Sequence, residues 1–359
     1  MNINLSPVKY SSIVEIGEKV LEMEKQSNSQ FLKLHRGVMD VDTIDINSII
    51  NKVQFNSKKF QQYGGNDGDV NLINTIKSMF HLSNHHLMVT PGGMASLDLT
   101  INSLSDKKVW VPKYHWGSWN KILQIHQKEI YTFDDFNISE FKPDSGIVLL
   151  CYPSNPTGYS ASLQELKIFI DYCKSKDITI ILDLPYYYLF NDLNSEIYNL
   201  YYDNVIILSS FSKSIGLSGF RVGYIATKNK ELYDTMRIRS LYKYNSISNP
   251  SQFIINELLT SENGMKALED YKNITIDNIK NNIQYLVDKN LLFDEYTSVP
   301  VGPFAIINKT FEYLIENKIS SVPLSKFVFQ KDETLDKYSR ISVAVNNQIF
   351  KEYFEKMLK

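Results

Sequence analysis

From about residue 85 to residue 210, short apolar runs rich in β-branched residues alternate with helical stretches of about a dozen residues. A mainly parallel sheet, covered by helices on both faces, is the arrangement that buries such runs. Strands are expected at Leu87 to Thr90, Lys108 to Val111, Gly146 to Tyr152, Ile178 to Leu182 and Val205 to Ser209. Helices are expected from Met94, from Trp119 and over Ser162 to Lys174. Ligands of sheets like this gather at the carboxyl ends of the strands, so the residues just past each run carry the functional interest.

The rest of the chain reads differently. Ile13 to Lys25 and Leu72 to Phe80 have the spacing of amphipathic helices, and Pro250 opens a long helical stretch reaching about Lys289. Short strands at Phe304 to Asn308 and Arg340 to Val345, and a helix over Phe350 to Leu358, suggest a smaller α+β unit that the N-terminal helix joins. We therefore expect an N-terminal arm over residues 1–45, a large domain over 46–250 and a small domain over 251–359.

Composition excludes several classes. Lys plus Arg (38) nearly balances Asp plus Glu (40), with no dense basic stripe, so nucleic acid is not an expected partner. No segment approaches the ~18 uninterrupted apolar residues of a membrane span, and Met1 to Tyr10 lacks the pattern of a secretory leader. Cys151 and Cys173 stand apart without metal-type spacing, as in a reducing compartment. The expectation is a soluble, cytoplasmic protein. His81, His85 and His86 precede a strand with no accompanying carboxylate or cysteine and read as a solvated loop rather than a metal site. Asn66, Asp67 and Asp69 are too few, at the wrong spacing, for a calcium turn.

Several strand ends carry groups that suit one aromatic, phosphorylated, aldehyde-bearing ligand. Lys213, in Ser209-Ser210-Phe211-Ser212-Lys213, is an amine placed just past a buried strand. Burial and the charge of Arg221, eight residues on, would lower its pKa toward that of a nucleophile. Pro91-Gly92-Gly93-Met94 opens a helix with residues small enough to admit a phosphate, although a tight turn alone would also favour glycine. Tyr152-Pro153-Ser154-Asn155-Pro156-Thr157-Gly158 offers an amide for a phenolic oxygen, or simply a proline-rich turn. Asp183 ends a buried strand, where it reads either as a turn residue or as the partner of a protonated pyridine nitrogen. Trp116 is placed to cover an aromatic ring, with Tyr114 a competing candidate.

Asn155-Pro156-Thr157-Gly158, Asp183 with Tyr186, and Ser210-x-Ser212-Lys213 with Arg221 resemble the pyridoxal-phosphate-dependent aminotransferases of class I/II, fold type I, over about Leu34 to Val345. The resemblance implies a large domain with a mainly parallel seven-stranded sheet between helices, plus a smaller α+β domain. By the same resemblance Lys213 forms the Schiff base with the cofactor and moves the proton, and Asp183 faces the ring nitrogen. Asn155 and Tyr186 bond the phenolic oxygen, while Ser210, Ser212, Arg221 and the N–H groups of Gly93 and Met94 cradle the phosphate. Trp116 stacks on the ring, and Tyr63 reaches the site of a neighbouring subunit, which implies a homodimer. Arg340 and Gly37 hold the substrate α-carboxylate. Arg36, beside Gly37, is a candidate partner for an acidic or phosphorylated substrate tail.

The implied reaction is amino-group transfer between an L-amino acid and a 2-oxo acid. Decarboxylation, elimination or cyclisation on the same fold is the alternative, because the bond broken depends on substrate orientation. A non-catalytic cofactor-binding module is a further one.

Overall fold

The structure is a computed structural model that describes residues 1, 3, 5–190, 197, 200 and 202–359. Its strands are β1 (Leu32–Lys33), β2 (His86–Thr90), β3 (Lys108–Pro112), β4 (Glu129–Phe133), β5 (Ile147–Cys151), β6 (Thr179–Asp183), β7 (Val205–Ser210), β8 (Gly223–Thr227), β9 (Phe304–Ile307), β10 (Ile319–Ser320), β11 (Val322–Pro323) and β12 (Ser339–Ser342). Seven of them form one sheet in the order β2-β8-β7-β6-β5-β3-β4. The neighbours from β7 through to β4 pair in parallel, whereas β8 runs antiparallel to both β7 and β2.

Alternation along each strand divides the interior into two cores. On β5, Ile147, Leu149 and Cys151 join the core that holds Ile181, Leu208 and Tyr186, while Val148 and Leu150 join the core that holds Ile180, Leu182 and Ile207. Because both faces are covered, both sets are apolar, and the strands appear in sequence as unbroken apolar runs. Helices Gly93–Ser103, Gly117–Ile125 and Leu163–Ser175 supply part of the cover. The last of these begins with a capping box in which Ser162 and Glu165 satisfy each other's backbone N–H groups.

Five strands fall outside the sequence expectations, β10 and β11 among them with two residues each. β4 begins with an exposed Glu129 and pairs only with β3, so it lacks the continuous apolar character of its neighbours. β8 is short, and only twelve residues separate it from the end of β7 (Phe211 to Val222). The segment between holds only short helical turns, which leaves no room for a full crossover helix and returns the chain antiparallel. β1 has two residues, too few to leave a periodic signal. The helical stretch from Pro250 is two helices, Asn249–Thr260 and Glu262–Asp288, broken at Ser261, whose hydroxyl caps the second.

The remaining strands form a three-stranded antiparallel sheet, order β11-β12-β9, and a parallel pair, β1 with β10. Asn282, fully buried on the long helix, donates to the carbonyls of Val343 and Val345 at 2.9 and 2.8 Å and so locks that helix to the segment after β12. The loop after β5 is tied to β9 from two sides. Tyr296 donates its hydroxyl to the Thr157 carbonyl at 2.5 Å and accepts the Ile306 N–H at 2.9 Å. The Gly158 carbonyl accepts the N–H groups of Val301 and Gly302.

Gly158 has φ of +66°, and a Cβ there would be driven into the main-chain carbonyl of Phe304. Replacing it with alanine therefore combines left-handed strain with overpacking against backbone. The expected loss is about 2 kcal/mol or more, read as a lowered urea midpoint. Gly219, whose added Cβ would meet nothing within 4 Å, serves as the control: Gly219→Ala is expected to stay within about 0.5 kcal/mol of the parent.

Candidate active site

The carboxyl ends of β2, β3, β5, β6 and β7 converge on one side of the sheet, and the start of β8 lies between those of β2 and β7, with Gly223 paired to both Thr90 and Ser210. Past β2, the Thr90 and Ser96 hydroxyls bond at 2.6 Å and hold the turn into helix Gly93–Ser103. The N–H groups of Ala95 and Ser96 fold back onto the Gly92 carbonyl, so those of Gly93 and Met94 are left at the mouth of the helix.

Gly92 has φ of +92°, and a Cβ there would lie 2.5 Å from Arg221 Nη2. The guanidinium can close over the turn only because that side chain is missing. Arg221 is fixed by the Ser212 hydroxyl at 3.2 Å and the Ser218 carbonyl at 2.8 Å. On the same rim, Ser210 Oγ accepts the Ser212 N–H at 3.0 Å. Helix N–H groups, small hydroxyls and a guanidinium that has no carboxylate partner among the described residues together form an anion cradle.

Lys213 lies three residues past β7 and is half-buried. Desolvation, followed by the charges of Arg221 and Arg340, pushes its amine down to about 8. A side chain on Gly37 would begin 4.0 Å from Lys213 Nζ, which places the segment after β1 beside the amine. On the neighbouring strand, β6, Asp183 is buried, and burial raises its carboxyl to about 7. The group opposing that shift is the indole N–H of Trp119, itself enclosed and without a completed hydrogen bond. Sequence reading missed Trp119, although Trp116-x-x-Trp119 at the start of a helix was the available signal.

Tyr186 is buried three residues past β6, facing the Asn155 side chain. Burial first, then the nearby Cys151 and Asp183, drive its hydroxyl far upward. Asn155 Oδ1 is buried without a hydrogen-bond partner. Trp116 is half-buried and packs on the core that contains Tyr186. Tyr114 belongs elsewhere: its hydroxyl donates to Glu295 at 2.9 Å, and its ring meets the edge of Phe293.

Arg340 is fully buried on β12. Its Nη atoms donate to the carbonyls of His35 at 3.2 Å and Arg36 at 3.4 Å, and its Cζ lies over the rings of Phe304 and Phe327, 4.6 and 5.0 Å from their centroids. Nε has no partner. Burial lowers its pKa to about 10, which still leaves the group cationic at neutral pH. The Arg36 guanidinium is exposed and acts electrostatically on Glu24 and His35, not on Lys213.

Tyr63 is 83% exposed and does not join this cluster within the chain. Asp67 and Asp69 are occupied structurally, the first by Arg237 and the second as the cap of helix Val70–Met79 and the partner of Lys59. His86 stacks on Tyr233 at 5.1 Å.

The family model for aminotransferases of class I and II matches residues 29–352. A histidinol-phosphate aminotransferase from Oceanobacillus iheyensis is 35% identical over 155 residues, which span 41% of this chain and 41% of that protein. A histidinol-phosphate aminotransferase from Buchnera aphidicola is 27% identical over 270 residues, 69% of this chain and 73% of the relative. Among solved structures, an aspartate aminotransferase from Thermus thermophilus with maleate superposes with a TM-score of 0.84 at 19% identity, covering 99% of both chains. At that identity the likeness is one of fold.

In the cofactor-free protein, labelling of Lys213 by an amine-selective reagent should rise with pH about a midpoint near 8, since only the neutral amine reacts. Removing a nearby positive charge relieves repulsion on the protonated amine. Arg340→Gln should therefore move the midpoint upward. A midpoint at the ordinary lysine value in both proteins would contradict the electrostatic picture.

Proposed function

The chain belongs to the class I and II aminotransferases, pyridoxal-phosphate enzymes that exchange an amino group between amino acids and 2-oxo acids, and on that premise we propose which of its residues carry each part of the reaction. The carrying observation is that the Lys213 amine lies in the field of two guanidiniums, Arg221 at the anion cradle and Arg340, which is buried without a carboxylate partner among the described residues. Pyridoxal phosphate fits the residues present: a phosphate for the cradle, an aldehyde for the amine, a phenolic oxygen for Asn155 and Tyr186, and a ring nitrogen for Asp183. The last match is physical as well as positional, because an isolated buried carboxylate is costly until a cation faces it.

When bound, the cofactor supplies an aldehyde carbon and a ring that draws electrons from the substrate Cα. Asp183 keeps the ring nitrogen protonated, with the Trp119 N–H helping to hold the carboxylate ionised. Asn155 and Tyr186 donate to the phenolic oxygen. Ser210, Ser212, Arg221 and the N–H groups of Gly93 and Met94 would hold the phosphate, and Trp116 would pack against the ring. Arg340, with Gly37 beside it, holds the substrate α-carboxylate. The Lys213 amine would act as the base that takes up and carries the proton from the substrate Cα.

Arg36 contributes its carbonyl to Arg340, while its exposed guanidinium remains available to a substrate tail. The names of the relatives favour a second amine class, phosphorylated amino alcohols such as histidinol phosphate. A guanidinium fork accepts phosphate as readily as carboxylate.

Tyr63 is proposed to complete the site of a second copy. It adjoins the loop that Arg237 binds, and Ile238 and Tyr242, on the same helix as Arg237, are 61% and 86% exposed. An apolar surface of this kind suits a two-fold contact. Among the described residues no helix is long and apolar enough to cross a membrane. Buried thiols at Cys151 and Cys173 suit the cytoplasm.

Mixed with single amino acids and no oxo acid, the enzyme should release the matching 2-oxo acid and retain the amine form of its cofactor. Lys213→Ala should slow this by a factor on the order of 10³, measured by stopped-flow absorbance. A variant that still cycled at the parental rate would refute the assignment. L-histidinol phosphate in the same panel decides between the two amine classes.

For the dimer, Lys213→Ala and Tyr63→Ala subunits should each be impaired alone. Co-refolded, they should regain activity, because the hybrid contains one site with both native residues. A monomer in sedimentation, or hybrids with no recovery, would overturn the shared site.

A further inference from the structure

Arg340 is held by carbonyls rather than by a carboxylate, and this makes the position of residues 35 and 36 decisive for where its free N–H groups point. Those two residues lie in a segment with little regular structure of its own. β1 has only two residues, and β10, its partner, has two as well. Beyond β1 the backbone is fixed by the Leu34 carbonyl, which accepts the Ser342 N–H at 2.8 Å, and by the Asp40 N–H, which donates to the Ala344 carbonyl at 2.8 Å; between these two points one buried polar side chain ties the segment down.

That side chain is His35, which is 2% exposed. Its Nδ1 lies 2.6 Å from Ser320 Oγ, and the Ser320 hydroxyl in turn lies 3.2 Å from the Leu32 carbonyl. The carbonyl can only accept, so the serine hydrogen is spent on it, and the serine oxygen must accept from Nδ1–H. The imidazole is thereby set as the Nδ1–H tautomer. Its other edge faces helix Ser12–Ser27, where a Cβ on Gly17 would stand 3.2 Å from Nε2. Burial, followed by the charges of Arg36, Arg340 and Lys33, pushes the imidazole down to about 4, so the neutral ring persists across the physiological range.

We infer that His35 is a positioning residue for recognition of the substrate's anionic group: its hydrogen bond to Ser320 pins residues 35 and 36 so that their carbonyls hold two N–H groups of Arg340 and leave the remaining ones to the substrate. The inference rests on the reading of Arg340 as the anion-binding arginine. A histidine filling the core without this role would affect stability alone. A positioning histidine affects anion affinity while the cofactor, for which His35 and Ser320 supply no group, binds as before.

The test uses the cofactor-loaded enzyme and maleate, a dicarboxylate that carries no amine to react, titrated by calorimetry. His35→Leu and Ser320→Ala break the same bond from its two ends. Each should weaken maleate binding roughly five- to tenfold, the effect of one hydrogen bond, and the double variant should be no weaker than the single ones. His35→Asn, which returns an N–H near the position of Nδ1, should bind within about twofold of the parent. Cofactor affinity should be unchanged in all of them. Parental maleate affinity in Ser320→Ala or His35→Leu, additive losses in the double variant, or a parallel loss of cofactor would each overturn the inference. Arg340→Gln separates the two readings: if it abolishes maleate binding while His35→Leu does not, only the role of His35 fails. If Arg340→Gln binds maleate normally, the assignment of Arg340 fails and the role of His35 falls with it.

Discussion

The structure is organised around charges placed inside the protein without protein counterions. Among the described residues, Lys213, Asp183 and Arg340, which are buried or half-buried, take part in no ion pair, and neither does Arg221 on the exposed rim of the site. An uncompensated buried charge costs several kcal/mol in ordinary circumstances. Here the cost is visible as displaced titration, with the Asp183 carboxyl raised and the Lys213 amine lowered. A cofactor that brings a phosphate, a protonated ring nitrogen and an electrophilic aldehyde would answer Arg221, Asp183 and Lys213 together, and a substrate carboxylate would answer Arg340. That coincidence ties the fold to its cofactor more firmly than any single motif.

The scaffold explains how such a cluster is tolerated. Asp183 and Lys213 project from the ends of β6 and β7, neighbouring strands whose apolar residues fill cores on both faces of the sheet. The large buried area in those cores outweighs the local penalty. The smaller sheet then delivers Arg340 from the opposite side, braced by Phe304 and Phe327. Phe304 also meets the Tyr186 ring edge-on at 5.6 Å, so one aromatic side chain joins the two halves of the site.

Much of this was legible in the sequence because the signals were local. Short apolar runs announced β2, β3, β5, β6 and β7, and the polar residues just beyond them lie together at the strands' carboxyl ends. The direction of β8 was not legible, since strand polarity is set by the connection and not by residue type. Arg340 alone reads as a surface arginine at a strand start; its burial depends on residues 35, 36, 304 and 327, which no short-range pattern links. The roles of His35 and Trp119 were hidden for the same reason, their partners being a serine 285 positions away and a carboxylate on another strand.

The central claim is that Asp183 holds the cofactor's ring nitrogen in its protonated state. Nitrogen-15 NMR of the enzyme loaded with ring-labelled pyridoxal phosphate tests it most directly. The account predicts a protonated nitrogen at neutral pH in the parent and an unprotonated one in Asp183→Asn. The same protonation state in both proteins would contradict it.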